Sequence, residues 1–315
     1  MAAQRIVSLI ASATEIVAAL GMLDRLVGRS HECDFPDEVC KLPVCSRPWI
    51  DPEAAGGEIH RQVQERLAQG LSIYGVDGDL LRELQPDLII TQTQCDVCAV
   101  SPKDILPALT DWPDPAPQVT ALHPVTLDDV WNDIQRVADA ADAAEAGRQT
   151  RIKLESRLTR IAQRSRPASN PTMVFLEWLD PLMAGGHWMP ELIELAGGTD
   201  PLGQPGQSAP FITWDQLHAA DPDLILIAPC GFNLARTRRE YAALAERPEW
   251  RGLRAVAEGH VALADGNAFF NRPGPRLVES LKIMADFLDG RRNDRHWELA
   301  SPASAAASVT TPPGA

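Results

Sequence analysis

One seven-residue segment occurs twice in this chain, and it constrains the fold more than any other feature. Leu84-Gln85-Pro86-Asp87-Leu88-Ile89-Ile90 returns as Ala220-Asp221-Pro222-Asp223-Leu224-Ile225-Leu226. Proline after a helical stretch stops the helix, and the residue before it is pushed out of the helical region. The unbroken apolar run that follows suits a strand buried on both faces, which is the environment of a parallel sheet. A second correspondence precedes it in the same order: Thr14-Glu15-Ile16-Val17-Ala18-Ala19-Leu20-Gly21 is mirrored by Pro190-Glu191-Leu192-Ile193-Glu194-Leu195-Ala196-Gly197. Both segments read as helices closed by glycine. Two matches in one order predict a duplicated α/β unit, and 315 residues give room for two domains of ordinary size.

The rest of the pattern fills in an α/β chain of two lobes, each a mainly parallel sheet flanked by helices, joined by a single long α-helix. Residues 1–124 form the first lobe, with strands at Arg5–Ile10, Leu26–Gly28 and Asp87–Thr91 and an amphipathic helix from Glu58 to Gln69. Residues 125–167 are a helical connector, free of proline as far as Arg166, with Leu127, Val130, Ile134 and Val137 at helical spacing. Asp142 followed by Glu145 reads as a capping box for a helix of about 22 residues, roughly 33 Å long. Residues 168–292 form the second lobe, and residues 293–315 a mostly disordered tail of Ala, Ser, Thr and Pro.

Charge removes one class of partner. The net charge of −14 argues against a nucleic acid, whose phosphates need concentrated Lys and Arg. No apolar run reaches the length of a membrane span, and Met1 to Ile10 lacks a secretory signal pattern. Read as written, the chain is expected in the cytoplasm, as a monomer. Six cysteines, Cys33, Cys40, Cys45, Cys95, Cys98 and Cys230, are too few for a disulfide scaffold and in a reducing compartment read as metal ligands or reactive thiols.

Ile6-Val7-Ser8-Leu9, Ser12-Ala13-Thr14-Glu15, Leu20-Gly21 and the two Pro-Asp-Leu-Ile strands together resemble the iron-siderophore and cobalamin substrate-binding proteins of ABC transporters. The likeness spans about residues 5 to 290 and is strongest to the cobalamin branch at Gly28-Arg29-Ser30-His31-Glu32-Cys33-Asp34-Phe35-Pro36. It implies a ligand held in the cleft between two lobes joined by one helix, with small hinge motion. It also implies a periplasmic location should the true start lie elsewhere. A further implication is that an acidic side chain of each lobe, Asp79 and Asp215, docks onto basic residues of the ABC permease. Each lies seven residues before its repeated proline, where a helix N-cap would also favour Asp.

In wound α/β sheets, ligands collect at the carboxyl ends of the strands. That rule selects Gln92 and Gln94 in the first lobe, and Trp178, His187, Trp188, Phe232, Phe269, Asn271 and Arg272 in the second, with Trp49 as a further aromatic wall. Trp131 and Trp250 fall on helices and read as packing. His31, Cys33, Cys95 and Cys98 carry the donor types that hold zinc or contact cobalt, although two half-buried thiols and a hydrogen-bonded histidine would look the same. The leading functional reading is a non-catalytic cobalamin (corrinoid) binder that requires no cofactor, serving ABC-type uptake or intracellular handling. The alternatives are a ferric-siderophore or haem binder of the same fold, and a cytoplasmic Cys/His metalloprotein or redox sensor. No nucleophile elbow or phosphate-binding glycine loop points to an enzyme.

Overall fold

The computed structural model describes residues 3–95, 97, 99–165, 169–291 and 295–300. The chain divides into two compact units, Met1–Ala54 with Glu58–Ser156 and Pro273–Pro275, and Ala55–Gly57 with Arg157–Arg272 and Arg276–Ala315.

In the first unit β1 (Ile6–Ser8) leads into α1 (Ala11–Ala19) and β2 (Leu26–Arg29). After β3 (Ser46–Pro48) come α2 (Gly56–Ala68), β4 (Tyr74–Val76), α3 (Gly78–Leu84) and β5 (Leu88–Gln92). A short α4 (Pro102–Ile105), β6 (Gln118–Leu122) and α5 (Leu127–Ala140) follow. The main sheet has the order β2-β1-β5-β6, all parallel, and β3 pairs antiparallel with β4 outside it. Every residue of β1 and β5 is buried, as the unbroken apolar runs required. Helix α5 starts in a capping box of Thr126 and Asp129 and buries Leu127, Val130, Trp131, Ile134 and Val137. It packs on α1 within this unit, so the connector expected over residues 125–167 shortens to the helix that follows. That helix, α6 (Ala144–Arg164), carries the chain from the first unit into the second at Ser156 and Arg157. Asp142 does not cap it: its φ is +55°, the left-handed turn that separates the two helices.

The second unit runs β7 (Met173–Leu179), β8 (Leu182–Ala184), α7 (Met189–Leu195), α8 (Trp214–Ala220) and β9 (Leu224–Ile227). Then come α9 (Leu234–Ala245), α10 (Pro248–Arg251), α11 (Arg254–Ala257), β10 (Val261–Ala264), α12 (Leu277–Leu288) and β11 (Trp297–Leu299). The sheet order is β11-β10-β9-β7-β8, parallel in its centre, with antiparallel strands at both edges. Strand β11 corrects the expected tail from residue 293. Trp297 is 1% exposed, and Glu298 accepts two 2.7 Å bonds from Arg238, so one tryptophan extends the fold beyond the compositional boundary. Residues 301–315 lie outside the described part of the chain.

The duplication extends to individual hydrogen bonds. Gln85 (φ +43°) and Asp221 (φ +36°) both end their helices in the left-handed conformation. Asp87 N–H donates to the Arg5 carbonyl and Asp223 N–H to the Thr172 carbonyl, each at 3.0 Å. The two carboxylates answer in kind, Asp87 accepting from Arg5 N–H and Asp223 from Thr172 N–H. The Asp of each Pro-Asp-Leu-Ile segment therefore clamps its strand to the one that opens the unit.

Candidate functional site

The loop after β2 is tied down at almost every residue. The Arg29 guanidinium donates to the carbonyls of Ser30, Cys33 and Cys40 at 3.1, 2.9 and 3.3 Å. His31 is held twice by one hydroxyl: its backbone N–H is 3.2 Å and its Nδ1 2.9 Å from Ser46 Oγ. Its ring packs 5.5 Å from that of Tyr74. Nε2 lies 3.9 Å from Glu32 Oε1, too far for a hydrogen bond. Burial, aided by the neighbouring Arg29 charge, pulls the imidazole down to about 4, so the ring is neutral at pH 7.

The thiols have other duties. Cys33 is 1% exposed and accepts from Thr14 Oγ1 at 2.9 Å, and burial pushes its thiol pKa up. Burial drives Cys45 to about 12. Cys95 is disulfide-bonded, and a bonded sulfur has no thiolate to give a metal. Cys98 lies outside the described residues. Among the described residues no three His, Cys, Asp or Glu side chains gather to hold a metal ion.

The loop after β5 is shaped by side chains standing in for backbone. Gln92, expected to face a ligand, is 1% exposed. Its amide accepts from Cys95 N–H at 2.9 Å and donates to the carbonyls of Cys95 and Ala99 at 2.7 and 3.0 Å. Thr91 Oγ1 and Tyr74 OH donate to the carbonyls of Val100 and Val97. Gln92 therefore builds the loop, while Gln94 is half-buried upon it. Trp49 is 45% exposed and packs over Gly75, where an added Cβ would come within 2.7 Å of the indole. The Arg47 guanidinium is 4.2 Å from the ring centroid. A large apolar ring left in solvent on a prepared shelf is unusual in a protein core and ordinary in a binding surface.

In the second unit the end of β7 and the loops after β9 and β10 meet. Trp178 and Phe232 pack with centroids 5.1 Å apart, and Trp178 Nε1 donates to Asp180 O at 3.0 Å. The Arg236 guanidinium lies 3.8 Å from the centroid of the Phe232 ring. A π-helical turn, Gly266–Phe270, holds Phe269 inside, and such turns recur at functional sites. Asn271 fastens that turn by donating to the carbonyls of Ala228 and Gly266 at 3.3 and 3.1 Å. Arg272, 5% exposed, donates to Asn267 Oδ1 at 2.9 Å.

Trp188 corrects the sequence reading. Expected as a ligand wall, it is 5% exposed and opens α7 immediately before Met189 and Pro190. The turn preceding it explains why. A Cβ at Gly186 would meet Ala209 N at 2.2 Å, and His187 takes φ +54° with its N–H donating to Gln207 O at 2.6 Å. The chain reverses so tightly that the indole turns inward, while His187 stays half-buried beside it with ring centroids 5.8 Å apart.

Glu177 escaped the sequence reading; a single charge ending an apolar strand is its only signal. Burial pushes its carboxyl up to about 7 against the opposing pull of the Gly186 N–H. The native carboxyl thus keeps its proton to about pH 7, whereas an ordinary glutamate releases it near 4.5. Between those values the native state binds more protons, so this group's contribution to stability falls as pH rises from about 4.5 through about 7. Glu177→Gln is expected to reduce the stability difference between mildly acidic and mildly alkaline buffer by on the order of 1–2 kcal/mol. Urea melts at both pH values read this directly, and an unchanged difference would mean that Glu177 titrates normally.

Asp79 and Asp215 occupy the same place in their units. Each is the second residue of its helix, and neither is the N-cap: Asp77 and Thr213 fill that role, accepting from Leu80 and Gln216 N–H. Both aspartates are exposed, and Asp79 makes one 3.3 Å contact with Arg82. The capping explanation for these two residues is thereby removed.

A duplicated α/β chain with aromatic and polar loops on its parallel-strand ends belongs to the class of two-lobed solute-binding folds. Residues 6–268 match the periplasmic binding protein family model, and the chain belongs to that family. The vitamin B12-binding protein of Vibrio cholerae is 24% identical over 306 residues, covering 91% of this chain and 89% of that protein. That of Yersinia pestis is 24% identical over 230 residues, covering 72% and 70%. Among solved structures, the periplasmic vitamin B12-binding protein BtuF of Vibrio cholerae superposes with a TM-score of 0.63 at 21% identity, covering 91% of this chain and 97% of that one. The periplasmic heme-binding protein RhuT from Roseiflexus sp. RS-1 does so at 0.66 and 21%, covering 91% and 98%. The family's description is periplasmic, which gives no support to the cytoplasmic location expected from the first ten residues. No helix among the described residues is long and apolar enough to cross a membrane.

Proposed function

We propose that this protein is a non-catalytic solute-binding protein for a metal-centred macrocycle, cobalamin before heme, and that it delivers the ligand to an ABC importer. The observation that carries the proposal is the exposed Trp49 on its Gly75 shelf, in a chain whose B12-binding relatives match it along nearly its whole length. Trp178, half-buried and packed against the buried Phe232, is the aromatic counterpart in the second unit. A flat, largely apolar ligand with amide fringes suits such surfaces. Heme is the second reading, supported by heme-binding neighbours of similar fold.

Calorimetry and visible absorption with cyanocobalamin, hemin and a ferric hydroxamate test the proposal. Cobalamin is expected to bind stoichiometrically, and Trp49→Ala to weaken it by about 1–3 kcal/mol. No heat and no retention of any of the three ligands would end the proposal.

The same reading assigns Asp79 and Asp215 to the permease interface. Reversing both charges is expected to leave ligand affinity within a few-fold and to abolish capture by the cognate transporter, because exposed charges steer and register partners more than they hold the fold. Loss of ligand binding in a folded double variant would place these residues at the ligand instead.

A further inference from the structure

We propose that the N-terminal turn of α1, together with the Ser12 hydroxyl, holds the anionic group of the bound solute, a phosphate or a carboxylate. This rests on the reading above that the solute is a metal-centred macrocycle, and it names the part of that molecule which the first unit recognises.

The main sheet runs β2-β1-β5-β6, so the chain departs to one side from β1 and to the other from β5. Wound α/β sheets receive ligands outside such a reversal, at the carboxyl ends of the two strands. Helix α1 begins there, at Ala11, just after β1 ends at Ser8. Its first helical hydrogen bond runs from Thr14 N–H to Ile10 O at 3.3 Å. The N–H groups of Ala11, Ser12 and Ala13 therefore have no acceptor within the helix. The N-cap, Ile10, has no side chain that could accept one, and no acidic residue stands in the first turn.

Ser12 is the independent observation. It is 1% exposed, and its Oγ has no hydrogen-bond partner among the described residues. A helical serine or threonine commonly bonds back to the carbonyl four residues before it, as Ser280 and Thr237 do in this chain. Side chains of a helix lean toward its N-terminus, so this hydroxyl and the three amides serve the same end. Buried donors left without an acceptor cost free energy. One anion satisfies several of them and meets the positive end of the helix dipole. The short side chains of Ala11, Ser12 and Ala13 leave the backbone open to close approach, and Ile10 is only half-buried, so the turn reaches solvent on its N-cap side. The duplicated helix is built otherwise: α7 opens on Trp188 and carries Pro190 in its first turn, and proline has no N–H to offer.

Two pairs of solutes that differ in charge test the proposal on unmutated protein: cobinamide phosphate against cobinamide, and hemin against its dimethyl ester. Calorimetry is expected to show the charged member of a pair binding tighter by on the order of 10-fold. The corrinoid pair reports a phosphate as the recognised group, and the heme pair a carboxylate. Ser12→Ala should shrink that ratio several-fold, the loss falling on the charged member. Ser12→Asp places a carboxylate at the positive end of α1, where it favours the helix, and should abolish the preference altogether. Thermal unfolding establishes that both variants fold. Equal affinities within both pairs overturn the proposal and leave the proposed function standing. A preference that survives unchanged in both folded variants also overturns it and assigns the anion to other donors. Failure of all four solutes to bind the wild type overturns both readings together.

Discussion

Trp188→Ala is expected to lower the unfolding free energy by about 3–5 kcal/mol, the usual cost of emptying a buried tryptophan site, while leaving the ligand affinity of the folded protein within a few-fold. The residue is 5% exposed and begins α7, so truncation leaves a cavity and not a bare ligand wall. Its Nε1 is buried without a hydrogen-bond partner among the described residues, so Trp188→Phe gives up no hydrogen bond seen there and is expected to cost much less, roughly 1 kcal/mol. Urea unfolding measures the first effect and calorimetry at saturating folded protein the second. A stable Trp188→Ala protein with strongly weakened binding would return this residue to the ligand surface.

The other large effect is expected at Gly266. A Cβ there would stand 2.2 Å from the Pro229 carbonyl oxygen and 2.7 Å from the Ala228 carbonyl carbon. Backbone atoms cannot rotate aside as a flexible side chain can, so the loop after β9 and the π-helical turn after β10 must separate. Gly266→Ala is expected to destabilise by on the order of 3 kcal/mol. It should also disturb Asn271, whose bonds to Ala228 and Gly266 hold these two loops together. Ligand binding should therefore fall further than the lost stability alone accounts for. Thermal unfolding combined with calorimetry below the transition checks both parts, and a variant with wild-type unfolding and affinity would show that the two loops are not rigidly coupled.

Local sequence made some of the site legible. The strand-end rule located the loops after β2, β5, β7, β9 and β10, because an apolar run ending in polar and glycine residues marks where a buried strand reaches the surface. It could not tell which side chains of those loops turn outward. Gln92 turned inward because its amide supplies three hydrogen bonds that an irregular backbone would otherwise lack. Trp188 turned inward because Gly185, Gly186 and a left-handed His187 reverse the chain just before it. Trp49 stayed outside over Gly75, the residue paired with Arg47 in β3–β4, because that glycine leaves the room its indole occupies. Gln92 bonds within its own loop, whereas the turn before Trp188 is pinned by Gln207 and Ala209 and Trp49 rests over Gly75, contacts between residues remote in sequence.

What the sequence determined by itself is the duplicated α/β architecture. Apolar runs, helix-stopping prolines and closing glycines act over a few residues, so their repetition can be read directly, down to the aspartates that clamp both Pro-Asp-Leu-Ile strands. Tertiary structure alone decided the fates of His31, Cys33 and Glu177. A neutral imidazole anchored on Ser46, a thiol sealed against Thr14 and a carboxyl raised to about 7 are consequences of burial and of partners from other elements. The residue types at positions 31, 33 and 177 fix which protons can move, and only the packing around them sets the free energy of moving them.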